Sequence, residues 1–209
     1  IINYDNYSDV YGESRKPVGI DVIKKVLLKF EAKKVLDFGC GVGNYSNDLC
    51  NDYEVTAIDG SNGMLGHVSE MCKKINFKID DSNSIDVSSD SHDAIIINQV
   101  LHHLNSKTLY NLLTECKRIL KTGGILYINH NTYSQLKYGW WWLPYFPQGV
   151  LNKYIARFPF DIEDKLMESD FRFHGRFIIK DVMQKDDKHN FVFDKAYRDG
   201  DSVWSILSE

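Results

Sequence analysis

Val35-Leu-Asp-Phe-Gly-Cys-Gly-Val-Gly43 joins an apolar run to three alternate glycines, Gly39, Gly41 and Gly43, directly after the acidic Asp37. Glycines let a backbone approach a ligand closely, and a helix opening just beyond them offers unpaired N–H groups. Alone, the turn marks either a nucleotide-like ligand or a purely structural glycine bend. A second carboxylate sharpens it. Glu54-Val-Thr-Ala-Ile-Asp59 is an apolar segment ending in an acid 20 positions beyond Gly39. A carboxylate so placed can accept hydrogen bonds from both hydroxyls of a ribose; its competing role is to cap a helix opening at Ser61. Further on, Ile75–Asp80 runs into Asp81-Ser82, where the Asp81 carboxylate can accept from an adenine amino group and the Ser82 N–H can donate to a ring nitrogen. The segment ending in Asn98-Gln99 then leads to His102-His103-Leu104.

These residues need a scaffold that brings loop after loop to one edge. Short apolar runs at 33–38, 54–59, 75–80, 92–98 and 124–131 read as strands. Ile20, Ile23, Val26, Leu27 and Phe30 recur at helical spacing, with Pro17 suited to the first turn. Met64, Leu65, Val68, Met71 and Cys72 mark a second helix with Ser61 as its N-cap. Leu109, Leu112, Leu113, Cys116, Ile119 and Leu120 mark a third, which is expected to stop at Lys121-Thr-Gly-Gly124. Strands alternating with helices predict an α/β fold, Rossmann-like and doubly wound, on a mostly parallel sheet. Ala94–Ile97 is apolar without alternation, as a strand covered on both faces should be. After a short helix at about 161–169, Phe171–Val182 and Asn190–Lys195 read as an antiparallel hairpin at the sheet edge. One domain spans 1–209: a cap and helix at 1–31, a core at 33–131, an aromatic insertion at 132–160, and a carboxy-terminal helix and hairpin at 161–209.

The 209 residues suffice for a substantial core, and 43% hydrophobic with 26% charged residues argues against disorder. A net charge of −4 carries no electrostatic footprint for nucleic acid. No apolar run reaches the roughly 20 residues of a membrane span, and no secretion signal pattern opens the chain, so a cytoplasmic location is the expectation. Cys40, Cys50, Cys72 and Cys116 fall singly, which suggests free thiols instead of a zinc knuckle or disulfide framework. No His and carboxylate cluster has metal spacing, so no metal is expected.

Taken together, Val35–Tyr45, Ile58-Asp-Gly-Ser-Asn-Gly-Met-Leu65, Asp80-Asp-Ser82, Ser91–Leu104 and Arg118-Ile-Leu-Lys-Thr-Gly-Gly124 resemble the class I, seven-stranded S-adenosylmethionine-dependent methyltransferases, most of all the small-molecule branch that includes the ubiquinone/menaquinone-type enzymes. The resemblance covers about residues 33–131. It implies S-adenosylmethionine as cofactor and S-adenosylhomocysteine as product. It also implies that Asp37, Gly39, Gly41 and Gly43 surround the methionine moiety, Asp59 takes the ribose, Gly60 and Met64 flank the adenosine, Asp81 and Ser82 hold the adenine, and Asn98 and Gln99 line the methionyl end. Among the amino-terminal residues Tyr4, Tyr7, Tyr11 and Arg15, the last two suit the cofactor carboxylate through a hydrogen bond and a charge-assisted pair.

A nicotinamide oxidoreductase is the rival, and Tyr133-Ser-Gln-Leu-Lys137 has a Tyr-x-x-x-Lys spacing that such enzymes use. Against it, the turn reads G-x-G-x-G where a dinucleotide site wants G-x-G-x-x-G, and a pyrophosphate beside Asp37 is repelled. Methyl transfer asks mainly for alignment and exclusion of water, plus a base where the nucleophile carries a proton. His102 and His130 are the candidate bases, each weighed against a structural role, while His67, His92, His174 and His189 read as structural or solvent-facing. The aromatic run Tyr138-Gly-Trp-Trp-Trp-Leu-Pro-Tyr-Phe-Pro147 suits an acceptor lid, a core helix, a subunit contact or a membrane-surface contact. The expected acceptor is a small apolar or aromatic molecule met by Tyr7, His103, Tyr133, Tyr138, Trp140, Trp141, Trp142 and Arg157. A catalytically silent cofactor-binding scaffold and a protein methyltransferase are the alternatives.

Overall fold

A computed structural model describes residues 17–77, 84–131, 133–138, 147–176 and 179. Five strands, β1 (Lys34–Phe38), β2 (Glu54–Asp59), β3 (Lys73–Asn76), β4 (His92–Asn98) and β5 (Leu120–Asn129), form one sheet. Its order is β3-β2-β1-β4-β5, and every pairing is parallel. The order reverses between β1 and β4, so a crevice opens at their carboxyl ends, where open α/β sheets bind ligands. The helices are α1 (Ile20–Lys29), α2 (Asn44–Leu49), α3 (Asn62–Leu65), α4 (Ser106–Ile119), α5 (Tyr133–Tyr138), α6 (Gln148–Ile155) and α7 (Ile162–Glu168), with a 3-10 turn at Leu101–His103.

Side chains alternate across a strand, so each strand feeds two cores. Ala94 and Ile96 pack with Ile23, Leu27 and Leu49 on one face of the sheet. Ile95 and Ile97 pack with Leu109, Leu112, Cys116 and Ile119 on the other. All four residues Ala94–Ile97 are fully buried, which is the physical content of their unbroken apolar run. The Asn105 carboxamide caps α4 by accepting from the Lys107 and Thr108 N–H groups at 2.9 Å each. Asp93 staples the start of β1, accepting from the N–H groups of Lys33 and Lys34 at 2.9 and 2.8 Å.

Several elements differ from the sequence expectation. The helix expected over 64–72 ends at Leu65. Asn47 accepts from the Ser69 N–H at 2.7 Å and draws the chain off the helical path, leaving Met71 exposed. Pro17 precedes α1 by three positions because Gly19, at φ 73°, occupies the N-cap. α4 ends at Ile119, not in the glycine pair, and β5 begins at Leu120 with an irregular register against β4 between His92 and Ala94. Gly123, at φ 83°, forms part of that irregularity. β3 starts two residues earlier than expected. Residues 171–176 form no strand, so a hairpin strand beginning at Phe171 is not present there; Asn190–Lys195 lies outside the described residues, as do Tyr4, Tyr7, Tyr11, Arg15, Asp80, Asp81, Ser82 and Trp140–Trp142. Among the described residues no helix is long and apolar enough to cross a membrane.

His92, at the opposite edge of the sheet, closes a polar chain. Ser91 Oγ donates to the Ser88 carbonyl at 2.6 Å, so His92 Nδ1 donates to Ser91 Oγ at 2.9 Å and Nε2 accepts from Thr56 Oγ1 at 3.1 Å. Burial, then the nearby Lys34 charge, lowers its pKa and keeps it neutral.

Candidate active site

The glycine turn is held by β2. Gly39 and Cys40 N–H groups donate to the Ile58 carbonyl at 2.8 and 3.0 Å, and Gly43 closes the turn by donating to Cys40 at 3.0 Å. All three glycines take positive φ (71°, 56° and 82°), a conformation costly for any residue with a Cβ. At Gly39 a Cβ would also lie 2.3 Å from Val100 Cγ2. Gly39→Ala is therefore expected to destabilise the protein by roughly 2–4 kcal/mol, read by urea unfolding. Adding Val100→Ala should restore only part of the loss, because the clash goes and the backbone strain stays. Full recovery would show that the left-handed turn costs nothing here.

Asp59 joins two loops. Its Oδ2 accepts from the Gly41 N–H at 2.8 Å and its Oδ1 from the Ser61 N–H at 2.9 Å. Ser61 separately caps α3, accepting from the Met64 N–H at 3.1 Å. The sequence offered capping as the alternative to a ligand role for Asp59; the helix cap is Ser61, and Asp59 ties the glycine turn to the start of α3. Gly60 is exposed beside it and Met64 is buried.

Asp37 is 1% exposed and accepts from Ser46 Oγ at 2.6 Å, a partner no sequence signal marked. Burial raises its pKa to about 7, the neighbouring Asp59 charge adds to that, and the Ser46 hydrogen bond opposes it. Among the described residues no cation pairs with this carboxylate. The same polar crevice ends at Asn98, only 8% exposed, whose Oδ1 and Nδ2 both lack a hydrogen-bond partner among the described residues. Buried polar atoms are normally paired, so an unpaired carboxamide at the switch point of the sheet points to a missing ligand. Gln99, next to it, holds a left-handed φ of 54° and locks β4 to β5: its N–H donates to the Asn129 carbonyl at 2.8 Å and its Oε1 accepts from Asn131 Nδ2 at 3.3 Å.

The histidines separate. His102 is 9% exposed and stacks on Phe158 with centroids 4.7 Å apart and an interplanar angle of 14°. His103 is exposed, its ring 4.0 Å from that of His102. His130 follows β5, with Nδ1 3.0 Å from the Asn131 carbonyl oxygen. A carbonyl only accepts, so Nδ1 carries the proton and Nε2 is left as the basic nitrogen. Burial lowers the His130 pKa and favours the neutral ring. Tyr133 opens α5 with its ring 46% exposed, and Arg157 sits half-buried after α6. Tyr138 closes α5. Phe158, Phe160 and Tyr154 cluster around His102 and Tyr133, and the sequence marks them only through Arg157-Phe-Pro-Phe160.

Residues 35–124 match a family model described as a methyltransferase domain. Over those residues the chain is similar to that domain. The match spans the glycine turn, Asp59, Asn98 and α4, so it covers the elements that build this crevice. The fold agrees with two solved structures. One is a candidate S-adenosyl-L-methionine-dependent methyltransferase from Methanococcus maripaludis, 16% identical, with a TM-score of 0.55 over 79% of this chain and 82% of that one. The other is a TehB-like SAM-dependent methyltransferase from Corynebacterium glutamicum, also 16% identical, with a TM-score of 0.51 over 73% and 78%. Comparison with curated proteins returns no match. The domain match supports a methyltransferase enzyme, and the two structures agree with its Rossmann-like α/β fold, whose described sheet has five parallel strands.

Proposed function

We propose that this methyltransferase moves a methyl group from S-adenosylmethionine to a small apolar or aromatic acceptor, in the manner of the small-molecule branch of class I enzymes. The observation that carries the reading is the buried Asn98 carboxamide, without a hydrogen-bond partner among the described residues, across the β1/β4 crevice from the buried Asp37 carboxylate, which has Ser46 Oγ as a donor but no cation among the described residues. A ligand with an amino-acid end supplies what both lack: a cation for Asp37, and a donor and an acceptor for Asn98. Asp59, Gly60 and Met64 serve the ribose and adenosine, and Gln99 holds Asn98 in place. Tyr11, Arg15, Asp81 and Ser82 are proposed to complete the carboxylate and adenine ends.

The bound sulfonium would supply a methyl group already activated for displacement. The chain then has to align the acceptor, exclude water and, for a protonated nucleophile, remove one proton. His130 Nε2 is suited to take that proton, since its other nitrogen is committed to the Asn131 carbonyl. His102, packed face-on against Phe158, is better suited to positioning.

Calorimetric titration with S-adenosylmethionine and S-adenosylhomocysteine should give one site for each. Asn98→Leu, close in volume but with no polar atoms, is expected to weaken both about 10–100-fold, as losing one or two buried hydrogen bonds to a charged group would, while raising the unfolding midpoint because an unpaired polar group is gone. Wild-type protein that binds neither ligand would overturn the reading.

A further inference from the structure

Residues 85–91 form neither helix nor strand, yet Ile85 and Val87 are buried in the core that α4 packs. One ion pair in the last two turns of α4 holds the stretch. Glu115 Oε2 accepts from the Ile85 N–H at 2.8 Å. Arg118 donates from Nη2 to the Ile85 carbonyl at 3.0 Å, and from Nη1 to the Val87 carbonyl at 2.7 Å and Ser89 Oγ at 3.3 Å. The two side chains are themselves joined as a fork: Arg118 Nε donates to Glu115 Oε1 at 2.8 Å and Nη2 to Oε2 at 2.7 Å. The helix backbone adds two bonds, from the Asp90 N–H to the Arg118 carbonyl at 3.0 Å and from the Ser91 N–H to the Ile119 carbonyl at 2.9 Å.

A buried ion pair is a poor source of stability, because desolvating two charges offsets most of their attraction. Glu115 is 9% exposed, and the hydrogen bonds from Arg118 hold its carboxyl below the ordinary pKa, so the pair stays charged. What the pair supplies, and two apolar side chains of similar size would not, is direction. A rigid planar fork fixes three backbone groups of an irregular stretch at once. The place of that stretch in the chain explains the need. Upstream, the Phe77 N–H donates to the Asp59 carbonyl at 2.9 Å, on the residue whose carboxylate ties the glycine turn to α3. Between Phe77 and Ile85 the sequence carries Asp80-Asp81-Ser82. Ser82 precedes Ile85 by three residues, a reach of about 10 Å at most. Whatever fixes Ile85 therefore limits where the Ser82 N–H and the Asp81 carboxylate can stand. We infer that Glu115 and Arg118 are positioning residues for the adenine of the cofactor, acting only through the 85–89 backbone, where the chain after Asp81-Ser82 rejoins the core. This rests on the methyl-transfer reading above, with Asp81 and Ser82 at the adenine end.

The test titrates the full chain with S-adenosylhomocysteine and with S-inosylhomocysteine, in which an oxygen replaces the adenine amino group, and follows the ratio of the two affinities. Wild type should favour S-adenosylhomocysteine by at least about 10-fold, as a hydrogen bond to a charged acceptor would. Glu115→Gln keeps an oxygen for the Ile85 N–H and loses the charge, whereas Arg118→Lys keeps the charge and loses the fork. Each should lower the ratio to about threefold or less, because a displaced carboxylate no longer meets the amino group at hydrogen-bond geometry. Leu27→Ala, a cavity in the core on the other face of the sheet, is the control for lost stability. It should lower the unfolding midpoint at least as much and leave the ratio within about twofold of wild type. An unchanged ratio in both Glu115→Gln and Arg118→Lys would overturn the inference. So would an equal fall in Leu27→Ala, which would reduce the pair to general support of the fold. Wild type that binds the two ligands equally would overturn it and leave the methyl-transfer reading intact; wild type that binds neither would overturn both.

Discussion

Asp59→Ala is expected to lower the affinity for S-adenosylmethionine and S-adenosylhomocysteine by at least about 100-fold, equivalent to roughly 3 kcal/mol, and to destabilise the protein at the same time. The second half follows from geometry. Both carboxylate oxygens already accept backbone N–H groups, from Gly41 at 2.8 Å and Ser61 at 2.9 Å. Alanine leaves both donors without their partner, at a cost of about 1–3 kcal/mol for each one that water cannot reach. Ser61 is buried and Gly41 half-buried, so the expected loss is nearer one such penalty than two. The affinity loss then has two sources, the missing ribose acceptor and a glycine turn no longer tied to α3.

Asp59→Asn separates them. An amide keeps one acceptor oxygen, so in either orientation its NH2 group faces one of the two backbone donors. The variant should therefore lose stability almost as alanine does, yet retain an acceptor for one hydroxyl and fall between wild type and alanine in affinity. Calorimetry paired with urea unfolding reads both quantities. Wild-type affinity in the alanine variant would remove Asp59 from the ligand site and leave it as a loop staple.

That double duty explains what the sequence could and could not disclose. Asp37, Gly39, Gly41, Gly43 and Asp59 were legible because each sits where a strand ends, and strand ends are marked by apolar runs giving way to glycine or acid. The two-sided burial of Ala94–Ile97 was legible for the same reason. What escaped depends on contacts between segments far apart in the chain. Ser46 is nine residues from the carboxylate it bonds, on a helix face no periodicity distinguishes. Asn47 cuts the expected helix short by capturing Ser69 from 22 residues away. The β5 boundary was misplaced because Lys121-Thr-Gly-Gly124 has the composition of a helix stop, and only pairing with β4 shows the strand passing through it. For His102 the sequence leaves a base and a structural role side by side; its stacking on Phe158 depends on a segment 56 positions later, which type and place alone do not convey.

Asp37 yields the second large expected effect, in which stability and binding move in opposite directions. Its carboxyl is buried, and burial, with the Asp59 charge adding to it, raises the pKa from 3.8 to about 7 in the folded protein. The sign follows directly. Between those values the folded state holds a proton that the unfolded state has released, so the stability associated with Asp37 is complete below pH 3.8 and is lost as pH rises through about 7. Asparagine cannot ionise and still offers Ser46 Oγ an acceptor. Asp37→Asn should accordingly match wild type near pH 4 and exceed it by roughly 2–4 kcal/mol above pH 7. Because His92 works the other way, losing stability as pH falls below its ordinary 6.5, the difference between variant and wild type is the quantity to follow, not either curve alone. Binding should run opposite: without the carboxylate there is no buried anion for the cationic end of the cofactor, and affinity should fall about 10–100-fold. In the wild type, S-adenosylmethionine binding near pH 7 should release a fraction of a proton, visible as a buffer-dependent heat that the variant lacks. A stability difference that does not change between pH 4 and pH 8 would mean that Asp37 is not held protonated by the fold, and that its burial is compensated by something other than the ligand.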